Sequence, residues 1–387
     1  MRLFAVDPTF YRDVLPILQK RCQECHRAGE MAPMPFATFE QTRPWAKGIR
    51  DAVRSRKMPP WFADPCCGKF ANDRSLSPVE IETLARWAET GARKGESREA
   101  PAVRVWPARG NLDSPDATLS IPRAFDVPAA GALEYQSFVV STGFREDRWI
   151  QAAEVRPGVR SVVHHVVVYI RDPGDTWIKG PTKSDILSVW APGSAPDTWP
   201  DGMAKLIPAG ADLVFEIHYT PTGTPARDRT SIALKFAAEP PARRVLTLQL
   251  NNDRFLIPAG ERDYRVTAVG TLPNEALLLG FFPHMHLRGT AFEYTRLRDD
   301  GQPETLLRVR DYKFNWQLTY RLATPIALPK GTPLRATAHY DNSARNPRNP
   351  DPTADVRYGQ QSWEEMMIGF FDVAVDAKID KKSFFVR

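Results

Sequence analysis

Apolar and polar positions change rhythm once along the chain, near residue 100. Before that point apolar residues recur at helical spacing. Val14, Ile17 and Leu18 lie with Arg21 along one stripe just ahead of Cys22, and Pro16 falls near the start of the segment or at a kink. Further on, "SLSPVEIETLARWAETGA" carries helix signals at both ends: Ser77 can cap it, Pro78 suits the first turn, Glu80 completes a capping box and Gly91 ends it. Ile81, Leu84, Ala85 and Ala88 form its apolar face. After a connector rich in proline and charge, "ARKGESREAPAVRVWPARG", the helical period disappears. Short runs such as "EYQSFVVST", "HHVVVYI", "ADLVFEIHYT", "VLTLQL", "YRVTAVG", "EALLLGFF" and "AFEYTRL" replace it. Brief β-branched and aromatic runs separated by turn residues predict β-sandwiches rather than a parallel sheet.

This β-rich stretch is doubled. "IPAGADLVFEIHY" (207–219) and "LPKGTPLRATAHY" (328–340) align without a gap and both close on His-Tyr. The upstream histidines keep step: His164 and His165 precede His218 by 54 and 53 positions, and His284 and His286 precede His339 by 55 and 53. The pattern predicts two sandwich domains of like topology, with a boundary near "AAEPPARR" (237–244).

Composition narrows the function classes. Of 387 residues, 52 are Lys or Arg and 46 are Asp or Glu, a mild excess spread along the chain with no basic block interleaved with aromatics, so no nucleic-acid partner is expected. No run approaches the ~18 apolar residues of a membrane span. All four cysteines lie before residue 68, so the β-rich part stands on its core alone.

Two of those cysteines carry chemistry. Cys22, Cys25 and His26 form C-x-x-C-H, the attachment motif of c-type haem, in which two thiols bond the haem and the histidine reaches the iron. A zinc half-site is the alternative, but no second Cys/His pair follows at zinc spacing. Met31, Met34 and Met58 compete as the second axial ligand; Met58, in "RKMPPW", is favoured because its separation from His26 lets the chain wrap round a haem. His/Met ligation suits electron transfer. Cys66 and Cys67 fall outside the motif and could be free thiols, a vicinal disulfide or an intermolecular bridge. Haem attachment of this kind occurs outside the cytoplasm, which predicts a periplasmic or secreted protein. The opening "MRLFAVDPTFYRDVLPIL" does not read as a signal peptide, and the expectation is that this start is trimmed or wrongly placed.

The remaining six histidines point to metal. His284 and His286, two apart, would share one face of a strand. His164 and His165, adjacent in "SVVHHVVVYI", would be aimed oppositely by a regular strand and can share an ion only if the strand bulges or ends there. His218 would supply a third nitrogen. Three imidazoles suit Cu, Zn, Ni or Fe, and a thioether from Met366 or Met367 in "QSWEEMMIGFF" would tilt the choice to copper. For His339, packing or hydrogen bonding weighs as much as ligation.

Taken in order, "VVHHVVVYI", "LVFEIHYTPTG", "PHMHLRGT" and "EEMMIGFF" make the stretch from about 117 to 375 resemble the copper type II, ascorbate-dependent monooxygenases. The resemblance implies two consecutive β-sandwiches, one copper in each, facing across a cleft. It implies His164, His165 and His218 on an electron-transfer copper, and His284, His286 and Met366 on the copper that works with O2 to hydroxylate a C–H bond. It also implies departures. Peptide-amidating members carry an arginine where Phe282 stands, and an asparagine and a tyrosine where Ile368 and Phe370 stand, so a substrate carboxylate would lack a partner here. His339 is then a group behind the ligands or a displacing ligand.

The whole chain is therefore expected to be multidomain: a small all-α cytochrome c-like domain (1–97), a linker (98–116), and two all-β, jelly-roll-like sandwich domains (117–240 and 241–387). The expected function is copper-dependent monooxygenation of a small-molecule substrate by O2, using two copper ions and one covalent haem. Electrons would come through the haem, from ascorbate or another one-electron reductant, or from an electron-donor protein. The alternative is a non-catalytic haem and copper electron-transfer or copper-binding protein.

Overall fold

The computed structural model describes residues 6–30, 32–106, 110–131, 133–178, 185–298 and 300–381. The chain divides into two compact units, one comprising Met1–Trp61, Asp73–Gly110 and Val159–Val162, the other Phe62–Asn72, Asn111–Gly158 and Val163–Arg387. Strand dominates and helices are few, consistent with β-sandwich domains. Among the described residues, no helix is long and apolar enough to cross a membrane.

The first unit carries the helices Leu15–Arg21, Phe39–Thr42, Ala46–Arg54 and Pro78–Glu89. The end signals of the last act as the sequence implies. Ser77 Oγ accepts from the Glu80 amide at 3.2 Å, Glu80 Oε2 accepts from the Ser77 amide at 2.7 Å, and Gly91 leaves the helix at φ +93°. Leu84 and Ala85 are fully buried as expected, and so is Trp87, three positions on from Leu84, which the apolar face drawn from sequence omitted. Its ring joins Phe10, Val14, Leu18 and Leu84 in this unit's core. Part of the presumed linker is tied down here: Gln19 Nε2 donates to the Ala102 carbonyl at 3.0 Å, and Arg104 donates back to the Gln19 carbonyl at 2.6 Å.

The second unit holds two four-stranded sheets and one long sheet. The first four-stranded sheet runs Gln136–Ser141, Asp212–Tyr219, Val163–Arg171, Asp185–Trp190, and the second Tyr264–Thr271, Pro333–Tyr340, Gly289–Leu297, Pro303–Val309. The long sheet runs Ala117–Ser120, Ser231–Phe236, Arg148–Arg156, Met203–Ile207, Arg243–Asn251, Ile368–Asp376, Ala276–His284, Tyr320–Leu328. Each half thus contributes one four-stranded sheet and half of the long one, in the same strand order. The halves join where Arg243 and Arg244 pair in parallel with Met203 and Ala204. Beside that seam the buried Lys205 donates to the Ile186 carbonyl and, at 2.6 Å, to Thr247 Oγ1, so a charge in the interior keeps hydrogen-bond partners. Residues Phe62–Asn72 belong to this unit because Ala63 and Phe70 form bridges to Val309 and Leu322. Cys66 and Cys67, within that segment, are joined as a vicinal disulfide.

Candidate metal centre

The first histidine set is made by a bulge. In the antiparallel pair of Val163–Arg171 with Asp212–Tyr219, Val163 opposes Tyr219 and His165 opposes His218, and the register shifts between Val163 and His165. His164 is the extra residue. The bulge turns it so that adjacent histidines, which a regular strand would send to opposite faces, converge. The His164 and His165 Nδ1 atoms lie 2.9 Å apart, and one ligand nitrogen from each of His164, His165 and His218 lies within 4.8 Å of the others. His218 Nδ1 is sealed from solvent and has no hydrogen-bond partner. Tyr135 stacks on the His218 ring at 4.8 Å.

The second set forms differently from the strand-face reading. His284 is the last residue of Ala276–His284, and His286 lies in the turn that follows. The turn, not the two-residue period, brings their rings to 5.2 Å at 89°. His284 Nδ1 meets Gln317 Oε1 at 2.7 Å and His286 Nδ1 meets the Glu364 carbonyl at 3.2 Å, so both rings spend one nitrogen on the protein and keep Nε2 for the cleft. Met366 precedes the strand Ile368–Asp376 and lines the same cleft as His284 and His286, whereas Met367 is fully buried.

A buried carboxylate fixes this second set. Glu365 is wholly enclosed; its Oε2 accepts from the His286 amide at 2.9 Å and its Oε1 from the Arg288 amide at 2.6 Å. Arg288 reaches Asn342 Oδ1 at 2.7 Å and the Trp363 carbonyl at 2.8 Å, and Tyr340 Oη donates to the Met366 carbonyl at 2.7 Å. Burial pushes the Glu365 carboxyl up to about 8 despite those donors. The sequence displays Glu365 beside Met366, but nothing in the run announces a clamp.

A cleft of about 390 Å³ is lined by His165 of the first set and by His284, His286 and Met366 of the second. One wall is the outer face of the first half's four-stranded sheet, with His165, Val167 and Tyr169; the other is the long sheet, with Phe282, His284, Ile368 and Phe370. In that sheet Phe282 pairs with Phe370 and His284 with Ile368, so all four share a face, and the two phenyl rings stack at 5.8 Å. Phe314 stands between the histidine sets, its ring 6.1 Å from His164 and 6.2 Å from His286. Burial lowers every one of these imidazoles below the ordinary histidine value, His218 to about 4 and His286 to about 3, and around His165 the neighbouring rings add to the effect. Neutral imidazoles with free lone pairs are what a metal requires.

His339 is elsewhere. It opposes Arg265 and Ala291, and its Nδ1 meets Asp263 Oδ1 at 2.6 Å. The hydrogen-bonded reading of this residue is the one the geometry favours.

In the first unit, His26 Nδ1 meets the Met34 carbonyl at 3.1 Å and its ring stacks on Phe36 at 4.4 Å, which leaves Nε2 uncommitted. Cys22 and Cys25 are free thiols, pushed up to about 12 and about 11 by burial. Met58 precedes Pro59 after the helix Ala46–Arg54, Met34 packs on the core, and Met31 lies outside the described residues.

Residues 243–371 match the profile of the copper type II ascorbate-dependent monooxygenase C-terminal domain. The match covers the second β half and supports that family, and with it copper-dependent monooxygenase chemistry in broad terms. No curated protein sequence matches the chain. Solved structures with some likeness include the major capsid protein P2 of bacteriophage PM2, at 10% identity over 68% of this chain and 98% of that one with a TM-score of 0.30. The allantoicase of Saccharomyces cerevisiae gives 9% identity over 64% and 80%, with a TM-score of 0.20. Scores this low carry no argument about fold or function.

Proposed function

We propose that the protein is a copper-dependent monooxygenase: substrate R–H, O2, two electrons and two protons give R–OH and water. The observation that carries this reading is that a cluster of three imidazoles reaches, through His165, the same cleft that His284, His286 and the thioether of Met366 line. The first set fits a metal because one nitrogen from each of three imidazoles converges, and His218 carries in its Nδ1 a buried atom with no hydrogen-bond partner. The second fits because both Nδ1 atoms are already engaged and Met366 supplies soft sulfur. Copper, when bound, supplies the one-electron steps by which O2 is reduced. The chain's own groups do the rest. His164, His165 and His218 hold the electron-transfer ion, and His284, His286 and Met366 the ion at which the substrate reacts. Phe282, Ile368 and Phe370 exclude water from the second set and orient an apolar substrate against it.

Cys22, Cys25 and His26 are proposed to carry a c-type haem in a cytochrome c-like domain, with Met58 as the second axial ligand. The His26–Met34 hydrogen bond supports this, since it orients the ring and leaves Nε2 for iron. Such a haem would relay electrons, replacing or assisting ascorbate, and would put the protein in the periplasm or outside the cell.

The test is metal analysis of protein matured with haem, followed by reductant-dependent O2 uptake with candidate substrates. Two coppers and one haem per chain, with substrate-stimulated uptake lost in Met366→Ile, are expected. Two coppers without such uptake would instead establish the non-catalytic electron carrier. His26→Ala is expected to slow turnover driven by a haem-directed reductant and to leave ascorbate-driven turnover intact.

A further inference from the structure

The segment Phe62–Asn72 is strapped to two edge strands of the second half. Ala63 bridges Val309, in the outer strand Pro303–Val309 of the second four-stranded sheet, and Phe70 bridges Leu322, in the last strand of the long sheet. The connection 310–319 runs between those two strands, and the strap holds it at either end. Asp64 donates its amide to the Arg308 carbonyl at 2.7 Å and pairs through Oδ2 with Arg310. Asn72 donates through Nδ2 to the Thr319 carbonyl at 2.8 Å and accepts at Oδ1 from the Arg321 amide at 3.0 Å.

What lies between those anchors touches both histidine sets. Tyr312 Oη accepts from the Met285 amide at 3.1 Å and donates to the Met285 carbonyl at 2.8 Å, so it grips the residue between His284 and His286. The Phe314 ring lies 6.1 Å from His164 and 6.2 Å from His286, and Gln317 Oε1 meets His284 Nδ1 at 2.7 Å. All three side chains are buried.

The Cys66–Cys67 disulfide sits in the middle of the strap. It closes a ring round the peptide that joins the two residues and so restricts a turn built on Asp64, whose Oδ1 accepts from the Cys66 amide at 3.0 Å and whose carbonyl accepts from the Cys67 amide at 3.2 Å. The turn presses on the edge strand, since a Cβ on Gly68 would come within 2.7 Å of the Leu306 carbonyl oxygen. Cys66 is exposed and Cys67 buried, and Arg308 Nη1 lies 4.0 Å from Cys66 Sγ. A thiolate arriving from solvent meets Cys66, with a cation beside that sulfur.

We propose that Cys66–Cys67 is an exchange site for a dithiol reductant, and that opening it loosens the connection 310–319 that braces the histidines. Attack on Cys66 Sγ breaks the S–S bond, leaves the reductant in a mixed disulfide on Cys66 and releases Cys67 as a thiolate, which takes a proton from water. Cys67 is the next residue, so with a monothiol it re-attacks Cys66 and expels the reductant. In a dithiol the second thiol attacks the reductant's own sulfur, releases Cys66 as a thiol and departs as a cyclic disulfide. Two electrons and two protons have then passed from reductant to protein.

The test uses full-length protein under native conditions with copper removed, because dithiothreitol binds copper. Dithiothreitol, or glutathione at equal thiol concentration, is followed by iodoacetamide and peptide mapping. Dithiothreitol should alkylate both Cys66 and Cys67, and glutathione neither. Oxidised glutathione should modify Cys66 in Cys67→Ser and leave Cys67 untouched in Cys66→Ser. On dithiothreitol addition, amide hydrogen exchange should rise about tenfold in 62–72 and 310–319, the effect of returning backbone freedom to the turn, and stay unchanged in Ser231–Phe236. Asn72→Ala keeps the disulfide but releases one anchor, and should raise exchange in 310–319 as reduction does. Copper titration of the doubly substituted Cys66→Ser/Cys67→Ser protein should find one ion held about tenfold more weakly. A disulfide that resists dithiothreitol, modification at Cys67 rather than Cys66, or unchanged exchange in 310–319 would overturn the proposal. If the serine variants do not fold, the unsubstituted protein decides it through alkylation and exchange. Neither readout involves O2, so a protein that behaves as expected here but never hydroxylates a substrate would uphold the exchange site and remove only the monooxygenase reading.

Discussion

Glu365 is where a single substitution should report most about how Met366 is kept beside two histidines it follows by about 80 residues. Its side chain joins the turn after His284 twice, accepting from the amides of His286 and Arg288 at 2.9 and 2.6 Å, alongside the His286 Nδ1–Glu364 carbonyl and Arg288–Trp363 carbonyl bonds. Glu365→Ala would leave both amides buried with no acceptor. At about 1–3 kcal/mol for each, the loss is about 2–6 kcal/mol, offset in part because a carboxyl no longer has to be buried. Glu365→Gln is the sharper perturbation. It keeps the volume and one carbonyl oxygen but turns an NH2 group against the other amide, so one bond is lost and two donors face each other, a cost of about 1–3 kcal/mol. The assay is urea unfolding of the metal-free protein, followed by copper titration of the same samples. The Gln variant should unfold at lower urea and bind one copper normally and the other more weakly, because the turn carrying His286 is held less firmly to the segment carrying Met366, with the His286–Glu364 and Arg288–Trp363 bonds remaining. An unchanged midpoint together with two normally bound coppers would refute the clamp.

Other consequences are more local. His218→Ala removes one of three imidazoles from the first set and should reduce bound copper from two ions to one, measured by atomic absorption, while circular dichroism stays unchanged. In the metal-free fold His218 and His286 titrate at about 4 and about 3, against 6.5 when unfolded, so between those values the unfolded chain binds more protons. Stability should therefore fall as pH drops from 6.5 toward 4 and be insensitive to these groups above 6.5; a midpoint flat across that window would contradict their burial as neutral rings. A glycine-extended peptide with a free carboxylate should be hydroxylated poorly, since Phe282, Ile368 and Phe370 offer it no counter-charge, and efficient product formation by mass spectrometry would count against that reading.

Legibility in the sequence followed the reach of each interaction. The helix Pro78–Glu89 was readable at both ends because a capping box is made by residues three apart, and its partners are printed together. That the strand must bulge or end at His164 and His165 for the two to share an ion was readable too, since a regular strand aims neighbouring side chains oppositely; the fold takes the bulge. The Glu365 clamp and the Gln317–His284 bond were not, because each joins segments brought together only by the fold, 77 to 79 positions apart for the clamp and 33 for the pair.

The duplicated pattern shows a subtler limit. The match between "IPAGADLVFEIHY" and "LPKGTPLRATAHY" does mark equivalent strands, for Asp212–Tyr219 and Pro333–Tyr340 hold the same place in their four-stranded sheets. In both, tyrosine turns inward: Tyr219 bonds Asp228 Oδ2 at 2.9 Å and Tyr340 bonds the Met366 carbonyl. In both, histidine takes the opposite face. What differs is what that face meets. In the first half the strands of this sheet border the cleft, and His218 finds two other imidazoles. In the second half the cleft is bordered by the long sheet instead, and His339 finds Asp263. Equal position in a repeat therefore secured equal backbone and equal side-chain direction, but not equal chemistry. The donors proposed for the second half come from a strand end, a turn and the residue pair ahead of Ile368–Asp376, none of which is equivalent to the bulge in the first. The asymmetry of the two donor sets, three nitrogens against two nitrogens and a sulfur, is thus a consequence of which face of each half the cleft exposes.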